Sequence, residues 1–286
     1  MSDINKIINK TILASDMVSF NIYSPDIAAK AKPGQFVVIR ANKEGERIPL
    51  TIADSNPQKG LLNLTILKRG KTTRLLAEFK EGDTILDVAG PLGKNSEIEN
   101  FGTVVIIGGG VGIAPTLPII KAMKNIGNHV ISILGARTED GLIFIDEIKK
   151  YSNEFYECTD DGTKGYKGFV SNFLADYMIN NKNKIIDRVI AIGPVLMMKA
   201  VCDVTKPANI KTIVSLNPIM VDGTGMCGSC RVEVGGKTMF GCVDGPEFDG
   251  HLVDFNLLNA RLNIYCTEEE ESLTDYMEAH KCKMNK

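Results

Sequence analysis

The sequence predicts three parts: an N-terminal antiparallel β barrel, a central α/β domain on a parallel sheet, and a small C-terminal domain organised by cysteines. Three observations carry this reading. Short β-forming runs separated by turn residues fill the chain up to about residue 98. Continuous apolar runs then alternate with helical stretches as far as about Leu216. A loop rich in glycine and cysteine opens the remainder. A chain of 286 residues, 44% of them hydrophobic, can bury more than one core, and its length suggests about two domains with a small third. The expected boundaries are 1–98, 99–216 and 217–286.

In the first part, strands are expected at 36–39, 50–52, 62–67 and 84–88, with Pro33-Gly34, Lys59-Gly60 and Glu81-Gly82 as turns. That spacing suits a small barrel. Arg47, Pro49, Leu50 and Thr51, followed by Lys68, Arg69, Gly70, Lys71, Thr72 and Thr73, place cations, hydroxyls and a glycine at successive strand ends. Such a set can hold a diphosphate, and equally a basic turn is often simply solvated.

In the second part, the runs 104–107, 130–134, 189–192 and 213–214 alternate with helices expected at 115–126, 142–151, 168–181 and 195–204. The first run leads into Gly108-Gly109-Gly110-Val111-Gly112-Ile113-Ala114-Pro115-Thr116. Glycines between a buried strand and a helix let a pyrophosphate reach the helix N-terminus, although a glycine loop alone is often only a tight turn. Later strands end in Gly135-Ala136-Arg137, Thr159-Asp160-Asp161-Gly162 and Gly193-Pro194, the last just ahead of Met197. All four lie on the sheet edge where open α/β folds bind ligands. Arg137 falls where an adenosine ribose is expected, so it either pairs with a 2′-phosphate or stacks on adenine, and NADH and NADPH both stay open.

In the third part, Asp222-Gly-Thr-Gly-Met-Cys227-Gly-Ser-Cys230, with Cys242 following, keeps the C-x4-C-x2-C spacing of a plant-type ferredoxin loop with Asp222 at the first cysteine. Glycines 223, 225 and 228 let the side chains converge on a 2Fe-2S core. A zinc half-site or a redox C-x-x-C would also use Cys227 and Cys230, but zinc wants a second close pair, which Cys242 lacks. Seven cysteines in a long chain without a signal peptide argue against disulfides. Asp222 has a second reading as a turn residue bonding its own backbone, and Cys266 competes for the fourth ligand position. A strand is expected at 231–234, and a late helix opens at a capping box, Thr267-x-x-Glu270.

A net charge of -2 gives no footprint for nucleic acid or an acidic membrane surface. No apolar run approaches the roughly 18 residues of a membrane span, and the polar start and reduced thiols point to the cytoplasm. Three His, and no cluster of His, Glu and Lys, leave electron transfer favoured over acid-base work on an organic substrate. The competing class is a zinc-stabilised binding protein without redox function.

Taken together these motifs resemble the iron-sulfur flavoprotein reductases of the ferredoxin-NADP reductase superfamily, over essentially the whole chain. The resemblance is strongest to two branches: electron-transfer subunits of dihydroorotate dehydrogenase, and small subunits of NADH-dependent reduced ferredoxin:NADP oxidoreductases, also described as sulfide dehydrogenase subunits. It implies an FAD-binding barrel whose Arg-x-x-x-Ser/Thr motif is Arg47 to Thr51, with Thr65, Leu67, Gly70, Thr72 and Thr73 completing the flavin site and 90–93 closing the domain. It implies NAD(H) or NADP(H) bound by Gly109, Gly110, Gly112, Pro115, Thr116, Arg137, Asp161, Gly193, Pro194 and Met197. It implies a 2Fe-2S cluster on Asp222, Cys227, Cys230 and Cys242. Asp222 departs from the dihydroorotate branch, which carries cysteine there, and resembles the bifurcating transhydrogenase branch. The implied role is a relay from nicotinamide through flavin to cluster, and on to a larger flavin and iron-sulfur subunit through which ferredoxin is reached.

Overall fold

The computed structural model describes residues 3–284, with side-chain surroundings through residue 279; the last two residues of the expected third domain lie outside them. The first domain comprises β1 (Lys6–Ala14), β2 (Met17–Tyr23), α1 (Pro25–Ala28), β3 (Phe36–Arg40), β4 (Arg47–Asn56), β5 (Leu61–Leu67), α2 (Lys71–Glu78) and β6 (Asp87–Leu92). Its antiparallel strands run in the order β1-β2-β5-β4-β3-β6. Lys6 bridges Thr84 across the open edge. Ile7 N–H donates to the Asp83 carbonyl at 2.8 Å, and Ile85 N–H to that of Asn5 at 3.1 Å, so the sheet closes and leaves few unpaired edge groups. Phe20, Ile22, Leu62, Leu64 and Leu76 are fully buried inside.

β1 and β2 were not expected, and β6 begins later than the run at 84–88 suggests, because Thr84 to Leu86 serve the barrel closure before the regular ladder starts.

The second domain holds β7 (Thr103–Gly109), α3 (Ile113–Asn125), β8 (His129–Ala136), α4 (Ile145–Lys150), β9 (Glu154–Thr159), β10 (Tyr166–Lys167), α5 (Val170–Asn180), β11 (Arg188–Ile192), α6 (Val195–Thr205) and β12 (Lys211–Ser215). β7 to β12 pair in parallel, as expected of apolar strands covered on both faces. The strand order β10-β9-β8-β7-β11-β12 reverses direction between β7 and β11. Open α/β sheets bind ligands at such a switch point, which is flanked here by the glycine turn after β7 and by Gly193 after β11.

The C-terminal part contains β13 (Arg231–Val234), β14 (Lys237–Phe240), β15 (Glu247–Asp249), α7 (Phe255–Leu262) and α8 (Cys266–Met284). β13 and β14 form a hairpin whose turn residues, Gly235 and Gly236, both have positive φ, as a type I′ turn requires. β15 leaves this domain and adds antiparallel to β12, extending the central sheet to seven strands. Helix α8 starts at Cys266, so Thr267 lies inside its first turn and is not its cap: the start expected from the capping box is corrected by two residues.

The three parts share cores. Ala14, Met17 and Ala53 of the barrel pack with Ile106 and Ile113 of the α/β domain. Val232, Phe248 and Leu258 join Val214 and Val201. Replacing Leu64 by Ala should therefore remove about 2–5 kcal/mol from the barrel. Denaturant unfolding of the full chain reads this, and an unchanged midpoint would contradict the assigned core.

Candidate functional site

The hairpin of β13 and β14 does the work of assembling the thiols. Arg231 stands opposite Phe240, and Gly241 N–H donates to the Cys230 carbonyl at 2.9 Å, so Cys230, just before β13, meets Cys242, just after β14. Their Sγ atoms are 3.1 Å apart and unbonded, and both residues are buried. Cys227 is exposed on the preceding loop. Gly223, Gly225 and Gly228 all have φ between +66° and +87°, a region that side chains other than glycine rarely adopt. The loop therefore turns tightly enough to bring Asp222 beside Cys227.

Both carboxylate oxygens of Asp222 accept backbone N–H groups, from Thr224 and from Cys227, each at 2.9 Å. The turn reading of Asp222 is thus realised, and these bonds hold its carboxyl below the usual range. Each oxygen keeps a second lone pair, so the turn does not exclude a metal. Cys227 is shifted down by hydrogen bonding from Ser229, whereas burial and the neighbouring Cys230 push Cys242 up to about 12. Among the described residues no three His, Cys, Asp or Glu converge tightly enough for a single metal ion. Three thiols and a carboxylate in two separate pairs fit a binuclear core better than a tetrahedral zinc. Cys266 opens α8 with its thiol on Asn263 Oδ1, 3.5 Å away.

This loop packs directly on the barrel. Cys230, Cys242 and Met220 share one buried cluster with Phe36 and Val38 of β3, with Leu92 alongside. A Cβ on Gly223 would stand 2.7 Å from Leu92 Cδ1 and 2.9 Å from Val38 Cγ2. On the next strand Pro49 pairs with Val38, and Thr51 with Phe36. The Arg47 to Thr51 motif therefore lies one strand away from the thiols. Arg47 is exposed, and Pro49, Leu50 and Thr51 are partly so. Thr65 on β5 is buried with its Oγ1 lacking a hydrogen-bond partner, the mark of a group that a ligand satisfies. Leu67 ends the same strand, partly buried.

Gly70 caps α2, and a Cβ there would meet nothing within 4 Å, so the helix N-terminus faces open space suited to a phosphate. The hydroxyl of Thr73 is committed elsewhere: it accepts Arg69 and Gly70 N–H groups at 3.0 and 3.1 Å. The hydroxyl of Thr73 thus builds the helix start. Thr72 is buried and reaches Glu46 at 3.4 Å.

At the switch point, Gly112 must be glycine: a Cβ would strike the Ile192 carbonyl and come within 2.8 Å of Gly193 Cα. Gly109 is buried and Gly110 is open, with φ +56° and nothing near its Cβ position. Pro115 and Thr116 are both buried inside the first turns of α3, and Thr116 Oγ1 donates to the Ile113 carbonyl at 2.6 Å. Their side chains support the turn from behind. The sequence run is continuous, but α3 rotates these two side chains to its inner face.

The side chain of Met197 lies against both Gly109 and Gly193, with its Cε 2.7 Å from a Cβ position on Gly193. Pro194 is exposed at the rim. Arg137 is exposed at the end of β8, and its charge acts on Asp160, whose carboxyl burial and Asp161 nevertheless keep high. Asp161 accepts Thr163 N–H and hydroxyl at 3.0 and 2.7 Å, so its carboxylate caps its own loop. Sequence reasoning missed Phe36 and Val38 as neighbours of the thiols, and Asp160 as the counter-charge to Arg137; only tertiary packing brings these together.

Residues 5–96 match the oxidoreductase FAD-binding domain family, 106–203 the oxidoreductase NAD-binding domain, and 217–254 the iron-sulfur cluster binding domain of dihydroorotate dehydrogenase B. A Thermotoga maritima protein named as a homolog of the dihydroorotate dehydrogenase B (NAD(+)) electron transfer subunit is 49% identical, over 96% of each chain. The Desulforamulus reducens electron transfer subunit of that enzyme is 32% identical over 85% of this chain and 97% of its own. A chain from the structure of an NADH-dependent reduced ferredoxin-NADP oxidoreductase, studied for flavin-based electron bifurcation, superposes with TM-score 0.91 at 48% identity, covering 97% and 99%. Phthalate dioxygenase reductase, 18% identical with TM-score 0.57, shares the fold over 80% of this chain and 85% of its own. With its FAD-binding, NAD-binding and iron-sulfur domains in one fold, the chain is an oxidoreductase and belongs to the family of dihydroorotate dehydrogenase B electron transfer subunits and their homologues.

Proposed function

We propose that this chain is the nicotinamide-linked electron-transfer subunit of a larger flavin and iron-sulfur oxidoreductase, of the ferredoxin:NADP type, which can bifurcate electrons. The observation that carries the proposal is the shared buried cluster of Cys230, Cys242, Phe36, Val38 and Leu92, which puts the thiol loop and the flavin barrel in direct contact. An FAD accepts hydride and gives up electrons singly, and a 2Fe-2S cluster takes them one at a time.

The chain's own residues supply position. Arg47 and the open N-terminus at Gly70 bind the flavin's diphosphate by charge and amide N–H groups, while Thr65 Oγ1 takes up the polar contact it lacks. Pro49, Leu50, Thr51 and Leu67 pack along the remaining flavin surface, and Thr72 braces the helix end through Glu46. Gly109, Gly110, Gly112, Gly193 and Pro194 form the nucleotide crevice, with Asp161 shaping its outer loop. Met197 must swing aside to admit a nucleotide, which its three soft torsions allow. For the cluster, the donors fall into two pairs: Asp222 with Cys227, and Cys230 with Cys242. A larger subunit receives the electrons and provides access to ferredoxin. The alternative, an electron-transfer subunit of dihydroorotate dehydrogenase or of sulfide dehydrogenase, differs only in that partner.

The carboxylate of Asp160 stands beside Arg137 and counters its charge, so a 2′-phosphate gains little there and NADH is the favoured nucleotide. Anaerobic purified protein should contain about two irons and one FAD, and NADH should bleach it at a concentration at least about tenfold lower than NADPH. Equal response to both nucleotides would reassign Arg137, and a colourless zinc protein would end the relay reading.

Asp222→Cys should keep a cluster with an altered visible spectrum, Cys230→Ser should lose most of the iron, and Cys266→Ser should leave both iron and spectrum unchanged. Loss of iron in the Cys266 variant, with the Asp222 variant unaltered, would move the fourth ligand to Cys266. The isolated chain should reduce dyes with NADH yet fail to reduce ferredoxin, sulfur species or orotate; direct turnover with any of these would show that no larger subunit is needed.

A further inference from the structure

Residues 245–247 touch all three domains. The Gly245 carbonyl accepts Lys94 N–H at 2.7 Å from the end of the barrel, and the Pro246 carbonyl accepts Leu216 N–H at 2.9 Å from the end of the α/β domain. Glu247 pairs with Ser215 as β15 joins the sheet. Its side chain then turns toward the barrel, where Oε1 accepts the Ser96 hydroxyl at 2.5 Å. A Cβ on Gly34 would stand 3.0 Å from that same oxygen, so the barrel backbone closes directly over the carboxyl. Ser96 is 1% exposed and its N–H is held by the Pro33 carbonyl at 2.8 Å.

Two charged groups face this carboxyl. Arg188 of β11 bonds Glu97 at 2.6 Å and lies 3.6 Å over the Phe101 ring, so its charge is largely spent. Glu97 contributes repulsion. Desolvation therefore outweighs the help from Ser96 and Arg188 and lifts the Glu247 carboxyl above the usual range.

We propose that Glu247 is a positioning residue, a clasp that holds the cysteine domain against the flavin barrel and loosens when its carboxyl ionises. The direction follows from linkage. In the released state the group ionises near the usual 4.5, whereas the clasped state keeps its proton to higher pH. The clasp is then fully present below about 4.5 and is lost as pH rises through the raised, folded value. Glutamine keeps a hydrogen-bonding oxygen for Ser96 and carries no charge, so it should clasp at every pH.

Amide hydrogen exchange at Lys94 and Leu216 in the full chain, corrected for intrinsic rates, reads the clasp without relying on any cofactor. Wild-type protection should fall about tenfold between about pH 5 and about pH 9, a change of the size of one hydrogen bond. Glu247→Gln should stay flat at the acid-limb level, and Ser96→Ala should lose protection throughout. A Glu247→Gln profile that follows the wild type, or amides indifferent to both variants, would overturn the proposal. Its consequence for catalysis rests on the proposed function: in protein loaded with cofactors, electron arrival at the cluster after mixing with NADH should share the wild-type pH profile, while flavin reduction should not. Exchange that obeys the clasp with electron arrival that ignores it would overturn that consequence and leave the clasp standing.

Discussion

The cysteine loop has no core of its own, and the rest of the architecture follows from how it borrows one. Residues 217–230 contain no helix or strand, and a four-residue hairpin arm on each side is too little to bury a metal site. Cys230 and Cys242 are buried in a cluster to which the barrel contributes Phe36, Val38 and Leu92, beside Met220 and Phe240 of the cysteine domain itself. The face of the hairpin that carries Val232 and Val234 packs on the α/β core. One small hairpin is thus wedged between two larger domains. Its position relative to each is set by close apolar packing, which resists deformation far more than a flexible linker does.

That wedge has a chemical consequence. The β4 motif proposed to hold flavin pairs with β3, and β3 is also the strand against which the thiols rest. The crevice proposed for nicotinamide lies at the reversal between β7 and β11, and helix α3, which begins at that crevice, packs its Leu117 and Ile113 into the core shared with barrel residues Met17 and Ala53. Lys121 of α3 also pairs with Asp54 of β4 at 2.7 Å. The same barrel therefore has the α/β domain on one side and the cysteine loop on another. A two-electron donor site and a one-electron acceptor site can then use one flavin without sharing a surface.

How much of this the sequence discloses depends on the range of the interaction. The cysteine spacing and the glycine turn at Gly112 are local, and so is the alternation of buried strands and helices, which is why those elements are where periodicity puts them. β1 and β2 escape detection because polar residues such as Asn9 and Asn21 interrupt their apolar pattern. β15 is three residues long and exists only because β12 offers an edge. Pro115 and Thr116 sit in the nucleotide motif yet face the core, since a run of adjacent letters on a helix must divide between its two sides. Thr73 likewise belongs to the motif while its hydroxyl serves the helix start. The contact of Phe36 with Cys230, nearly two hundred positions away, leaves no local trace at all.

The proton load of the donor set gives the loop an order of events. Metal binding needs thiolates, and Cys242 resists ionisation, pushed up to about 12 by burial and by Cys230 at 3.1 Å. Cys227, at the surface, is shifted the other way, and Asp222 is already ionised because backbone N–H groups hold it so. Cys227 thus gives up its proton to a metal more readily than Cys242 does. The Asp222 turn also orients the Cys227 amide, so the carboxylate organises the loop before any metal arrives. As the proposed fourth ligand, Asp222 would offer a hard oxygen in place of a soft sulfur, and a negative charge that needs no deprotonation at neutral pH. The place of Asp222 in this sequence is therefore intelligible as a property of loop assembly, through the two backbone N–H groups that its carboxylate holds.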